Sequence, residues 1–301
     1  MADDVISKFP KPEELIPHPV PTYHKTPYSA IAPTLPSLSC SGKSVLVTGG
    51  GTGIGLAITR AFAAAHASTV VLTGRRANVI DAAKDSLSKE FPSTKFLTFA
   101  FSTGDRDGVD NLFTKLRAEI GELDVLVLNA GYGPSVGPGL AVGDKDVQTC
   151  FDTNFFGNWN MVQAYLQPSS GPKKQKNIID VSTAAAHYTF PFTAVYGASK
   201  ASWGILLGRL AVENSAEDVR IHSYHPGTIF TDLAKNAGLK EDMMSWDSVD
   251  LPGHFAVWLA SKEAEFLHGR FVWAHWDVEE LKGLKGRVEN EPLFLRFGLG
   301  V

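Results

Sequence analysis

Residues 45–64 read VLVTGGGTGIGLAITRAFAA, and this stretch constrains the chain more than any other. A β-branched run passes into a glycine-rich turn, and a helix-forming segment follows at once. A strand-to-helix turn this tight needs residues free to take positive φ. Bare backbone also lets an anion approach the helix N-terminus, where the first N–H groups lack partners inside the helix. Gly49, Gly51, Gly53 and Gly55, with Thr52 and Ile54 between them, are the expected pyrophosphate contacts. A glycine turn alone is a weak signal; between a first strand and a first helix it opens a dinucleotide-binding sheet.

The rest of the chain repeats this rhythm. Short apolar runs occur at 43–48, 68–73, 94–100, 123–129, 177–182, 219–224 and 269–274. Amphipathic stretches lie between them, including a long helical segment from Asp144 to Gln167 and another around AVYGASKASWGILLGRLAVENSA. Near-continuous β-branched runs alternating with helices predict a parallel sheet covered on both faces. The expected fold is therefore α/β, a single Rossmann-like doubly wound domain over 43–301 with a seven-stranded sheet flanked by helices. An insertion is expected near 231–256, before the last helix and strand. With 301 residues and 44% hydrophobic content, the chain can bury one large core.

Residues 1–42 differ, holding eight of the seventeen prolines. Proline removes ladder and helix hydrogen bonds, so this arm is expected to be extended. It either docks through residues such as Phe9, Leu15, Ile16, Val20, Tyr23 and Tyr28, on this chain or a neighbour, or remains a disordered tail. It shows no signal-peptide or transit pattern, and no stretch is long and apolar enough to span a bilayer. A net charge of −4 and a pI near 6.1 give no general attraction to nucleic acid or anionic membrane. Two cysteines, Cys40 and Cys150, provide neither a disulfide framework nor a metal cluster, which suits a reducing, cytoplasmic setting.

The end of the second run selects the cofactor. VVLTGRR places Gly74, Arg75 and Arg76 where an NAD site usually has a carboxylate for the ribose hydroxyls. A guanidinium suits a 2′-phosphate, so NADP(H) is preferred over NAD(H). A solvated arginine pair is the alternative. In LNAG, Asn129 is expected to fix the loop while Ala130 and Gly131 let backbone approach the nucleotide; ordinary strand-end turn chemistry is the rival reading.

In YGASK, Tyr196 and Lys200 share one helix face. A phenol with a pKa of about 10 is a poor acid–base group near neutrality. An adjacent ammonium favours the phenolate, so Lys200 is expected to lower that pKa. The hydroxyl partner is Ser182 or Thr183. Adjacent strand residues point to opposite faces, so regular β geometry allows only one of them.

TGGGTGIG, LNAG, TNFFG, YGASK and HPG occur in an order and spacing that resemble the short-chain dehydrogenase/reductase family over about residues 43–275. The segment FLHGRFVWAHWDVEEL further resembles fungal members found in secondary metabolism. The resemblance implies that Tyr196 exchanges a proton with the substrate oxygen, that Lys200 also holds the nicotinamide ribose, and that Asn154 supports a water chain to the lysine. It puts Thr183 at the family's serine position and Ser102 where an aspartate usually contacts adenine. It also implies that Pro226 and Gly227 pass under the nicotinamide, with Thr228 and Thr231 reaching its amide or the phosphates. His222 and His225 lack the carboxylate or cysteine neighbours of a metal site, and no metal is expected.

His187, Tyr188, Phe190, Phe192, Met243, Met244 and Trp246 are the expected substrate wall, aromatic and soft as suits a bulky apolar ligand. The alternative is that some of them pack the insertion against the core. The reaction expected is NADP(H)-dependent reduction of a ketone, or oxidation of its alcohol, on a polyketide, terpenoid or other ring compound. A non-redox lyase, isomerase or cyclase on the same scaffold is the alternative, with a non-catalytic nucleotide-binding module third. The resemblance implies a homodimer or homotetramer. Neither nucleic acid nor membrane is an expected partner.

Overall fold

The computed structural model describes residues 17–168 and 174–298. The glycine-turn unit is strand β1 (Ser44–Thr48) followed by helix α1 (Gly53–Ala64). The chain continues through β2 (Thr69–Gly74), α2 (Ala77–Glu90), β3 (Lys95–Ala100), α3 (Arg106–Ile120) and β4 (Val125–Leu128). Helices α4 (Asp144–Phe151) and α5 (Asn158–Leu166) lead to β5 (Lys176–Val181), α6 (Ala194–Glu213) and β6 (Val219–His225). Then come α7 (Asp232–Asn236), α8 (Asp250–Ala260), β7 (Phe271–Trp273), α9 (Val278–Gly283) and α10 (Lys285–Asn290).

All seven expected runs form strands, in one sheet of order β3-β2-β1-β4-β5-β6-β7. Every pairing is parallel. The order reverses between β1 and β4, and the loops leaving these strands part there to form a crevice at the sheet's C-terminal edge. The central strands are buried along their whole length, which accounts for their unbroken apolar runs.

On one face, α1 and α8 pack with Phe62, Leu251, Phe255 and Trp258 fully buried. Gly253 allows this contact: a Cβ there would lie 2.7 Å from the Ala57 carbonyl oxygen. On the other face, Leu112, Phe113 and Leu116 of α3 meet Met161 and Tyr165 of α5 and Trp203 and Leu207 of α6. Each such buried apolar side chain contributes roughly 1.5–3 kcal/mol relative to exposure.

Two details differ from the sequence expectations, and the structure decides between the two readings of the arm. The helical segment from Asp144 carries a π-turn over Asp152–Gly157 between α4 and α5, while the backbone stays right-handed helical throughout. Such wider i→i+5 turns are uncommon and are often found at functional positions. The insertion ends sooner than 256, because α8 begins at Asp250 and is largely buried. The arm is docked from residue 17 onward: Val20, Ile31 and Leu38 are buried in the core, and Tyr23 bridges Trp276. The arm's residues 1–16, with Phe9, Leu15 and Ile16, lie outside the described residues. The tail covers β7, with Phe271 N donating to Leu295 O at 2.7 Å and Phe297 packed on Phe271. Among the described residues, no helix is long and apolar enough to cross a membrane.

Candidate active site

The glycine turn sits at the crevice, held by a side-chain hub. The Thr48 hydroxyl accepts from Asn129 N and Ala130 N, both at 2.9 Å. Asn129 Nδ2 in turn donates to Thr48 O at 2.9 Å and Gly49 O at 3.3 Å. Asn129 thus ties the strand ends together, and Thr48 is a partner that sequence reasoning passed over. Gly49 has φ 65°, and a Cβ at Gly55 would overlap the Gly49 carbonyl. At Gly51 a Cβ would meet Ile80 at 2.9 Å, and at Gly53 (φ 52°) it would meet Thr231 at 3.2 Å. The turn therefore admits only bare backbone, the cradle that an anionic dinucleotide needs.

Arg75 and Arg76 are exposed at the end of β2. Arg76 makes one loose contact, 4.0 Å from Asp232, between side chains that are both more than half exposed. Charge at this position remains available to a ligand, and no carboxylate terminates the strand. Ser102 is exposed at the end of β3, while Asp105 caps α3 by accepting from Gly108 N at 3.2 Å. These residues fit a phosphorylated dinucleotide, with the glycine turn for pyrophosphate and the arginines for further phosphate.

The catalytic candidates converge from three elements. Tyr196 and Lys200 lie on α6, Thr183 follows β5, and Asn154 lies in the π-turn. Thr183 faces the Tyr196 phenol, and its Oγ1 accepts from Ala185 N at 3.3 Å. Ser182 is buried, and its Oγ has no hydrogen-bond partner. Lys200 is buried, and its Nζ donates to Val181 O at 2.9 Å. Burial pushes the Tyr196 phenol up to about 12, with the Thr183 hydroxyl opposing the rise. The lowering expected from Lys200 does not act on this phenol in the protein alone; desolvation of the phenolate sets the direction. Burial also lowers the Lys200 ammonium, opposed by the nearby Asp180 carboxylate.

Asn154 is fully buried, with its amide N–H groups and one lone pair of Oδ1 engaged. Its Oδ1 accepts from Tyr132 N, while Nδ2 donates to Tyr132 O at 2.8 Å and Ser199 Oγ at 2.9 Å. Ser199 Oγ donates onward to Tyr196 O at 2.8 Å. Asn154 thereby ties the loop after β4 to the catalytic helix. Ser199 was legible inside YGASK yet had no assigned role. Gly131 lies beside this group: a Cβ there would sit 3.5 Å from Asn154 Oδ1 and 3.9 Å from Lys200 Nζ. Gly133 likewise passes close to the Tyr196 ring, at 3.4 Å from a Cβ position.

Pro226 and Gly227 follow β6, Gly227 at φ 107°. Thr228 N donates to Asp247 at 2.7 Å, and Thr231 precedes α7 against the glycine turn. His222 and His225 are buried and engaged with backbone: His225 Nδ1 accepts from Ala184 N, and His222 Nε2 lies 3.1 Å from Ala264 O.

The expected substrate wall divides. His187 accepts from Trp273 Nε1 at 3.1 Å and packs with Tyr188, Phe271 and Phe297, joining β7 and the tail. Phe190 packs edge-on to Tyr188, and Phe192 holds φ 65° just before α6, a strained conformation for a bulky residue. Met243 and Met244 are exposed on the segment after α7. Trp246 rests on Phe230 and donates to Glu241 O at 2.8 Å.

Known proteins resemble this chain in sequence and in fold. The family description "short chain dehydrogenase" matches residues 43–242. A short chain dehydrogenase/reductase of Aspergillus aculeatus is 37% identical over 98% of this chain and 100% of its own. One of Claviceps purpurea is 39% identical over 95% of this chain and 96% of its own. Among solved structures, a short-chain type dehydrogenase/reductase from Mycobacterium ulcerans superposes with a TM-score of 0.70 at 24% identity, over 78% of this chain and 89% of its own. That last likeness concerns the fold.

Proposed function

The chain belongs to the short chain dehydrogenase/reductase family of oxidoreductases, and from that premise we propose that it is an NADP(H)-dependent enzyme that reduces a ketone on a bulky apolar ring compound, or oxidises the corresponding alcohol. The observation that carries this reading is Tyr196, Thr183 and buried Lys200 gathered where α6 meets the end of β5. When bound, NADPH would supply the hydride to the carbonyl carbon. Tyr196 delivers its phenolic proton to the carbonyl oxygen, and the Thr183 hydroxyl orients that oxygen and shares its developing charge. Lys200, with one N–H committed to Val181 O, keeps two for the ribose and holds positive charge near the phenol. In the reverse direction Tyr196 accepts the alcohol proton.

Arg75 and Arg76 support the preference for a 2′-phosphate, as exposed guanidinium groups on a strand end without a carboxylate. The aromatic and thioether side chains at 188–192 and 243–246 support an apolar substrate such as a polyketide or terpenoid ketone. Fluorescence titration with NADPH and NADH, followed by NADPH consumption on a panel of ring ketones, tests the reading. Tighter NADPH binding with turnover supports it; binding of neither nucleotide overturns it.

A further inference from the structure

The proline-glycine turn after β6 is fastened from outside the catalytic group. Asp247 and His275 are almost fully buried, at 5% and 1% side-chain exposure, with His275 Nε2 2.8 Å from Asp247 Oδ2. The same carboxylate oxygen accepts from Thr228 N at 2.7 Å, and Asp247 N donates to Thr228 O at 2.9 Å. A Cβ on Gly227 would come within 2.9 Å of Asp247 Oδ2 and 3.3 Å of His275 Nε2. The turn, the carboxylate and the imidazole therefore fit only while residue 227 is glycine at φ 107°.

The arm closes the other side of the imidazole. The Tyr23 ring stacks on His275 with centroids 4.3 Å apart and planes 9° from parallel. His24 N donates to His275 O at 2.7 Å, and Ser248 N donates to Lys25 O at 2.9 Å. The arm thus grips both His275 and the residue after Asp247. These contacts link three segments distant in sequence: the arm, the end of the insertion and the stretch after β7.

We propose that Tyr23, His275 and Asp247 form a latch of positioning residues that holds the 226–228 turn against the cofactor crevice. The arm is then a working part of the nucleotide site. Tyr23 fixes the imidazole plane, His275 donates to Asp247, and Asp247 holds the Thr228 amide. The functional side of this inference rests on the dinucleotide reading of the crevice.

Hydrogen exchange on the full chain tests it with a readout independent of activity, alongside NADPH titration. His275→Leu is expected to accelerate exchange of the Thr228 amide by about tenfold or more and to weaken NADPH by a similar factor. His275→Gln, which keeps a donor toward Asp247, restores both. Tyr23→Phe, which keeps the stack, behaves as the parent chain, and Tyr23→Ala behaves as His275→Leu. If His275→Leu does not fold, Tyr23→Ala against Tyr23→Phe decides alone. Unchanged Thr228 exchange in a folded His275→Leu or Tyr23→Ala chain overturns the latch. So does faster exchange with unchanged NADPH affinity, or equal effects of the leucine and glutamine variants. If the parent chain binds no nicotinamide nucleotide, the cofactor reading fails, and exchange at Thr228 still supports or overturns the latch.

Discussion

Thr183 faces the Tyr196 phenol, while the hydroxyl of Ser182, one residue earlier, is buried without a partner. The backbone explains the choice: Thr183 is extended (φ −160°, ψ 153°), so successive side chains leave the strand end on opposite sides. Thr183→Ala is expected to lower kcat by about a hundredfold, and Thr183→Ser to retain most of it. Ser182→Ala is expected to leave turnover within a few-fold and stability nearly unchanged, since it removes a buried hydroxyl that satisfies nothing. Steady-state kinetics and thermal melts of the three variants check this.

The proposed NADP(H) preference puts Arg75 and Arg76 at the 2′-phosphate. Replacing both with alanine is expected to raise the KM for NADPH by about tenfold or more and to leave NADH almost unaffected. The ratio of kcat/KM for the two nucleotides is the measurement. An equal loss with both would place the arginines outside phosphate recognition.

The pH dependence should differ between directions. With the phenol pushed up to about 12, Tyr196 keeps its proton through neutrality, so Tyr196 imposes no fall in the reduction rate from pH 6 to 8. Alcohol oxidation needs the deprotonated phenol and rises with pH over that range. Asp180 adds a second test. It is fully buried, accepts from Trp203 Nε1 at 3.2 Å and Ser223 Oγ at 2.6 Å, and supports the charge on Lys200. Removing its charge lets the lysine lose its proton more readily. The alkaline loss of reductase activity in Asp180→Asn should therefore begin at lower pH than in the parent chain.

Acid stability should carry the signature of His222. Burial beside Arg220 lowers this imidazole from 6.5 to about 3 in the folded chain. The unfolded chain therefore binds the proton first as pH falls. The stability associated with neutral His222 is fully present above about pH 6.5 and is lost progressively toward pH 3. Melting temperatures across this range should fall less steeply in His222→Gln than in the parent chain.

The sheet was legible because buried parallel strands require unbroken apolar runs, and the seven runs are separated by segments long enough for crossover helices. The glycine turn, Asn129 and the Tyr196–Lys200 pair were legible for the same local reason, since their spacing is their chemistry. Other features depend on tertiary neighbours. The effect of burial on Tyr196 is invisible in YGASK, and a lysine four residues away suggested the opposite shift. Thr48 and Ser199 act through partners about 80 and 45 residues away in sequence. The π-turn arises inside a segment whose apolar spacing reads as one helix. The His187 ring packs on Trp273 and Phe297, contacts no local pattern encodes.

The measurement that bears most directly on the central claim is stopped-flow NADPH oxidation by the parent chain and Tyr196→Phe on a ring ketone the parent turns over, with nucleotide affinity measured on both. The account predicts that Tyr196→Phe binds NADPH as the parent does, while hydride transfer falls by about a hundredfold to ten-thousandfold. Hydride transfer at the parent rate in Tyr196→Phe would contradict it and remove the tyrosine from the chemistry.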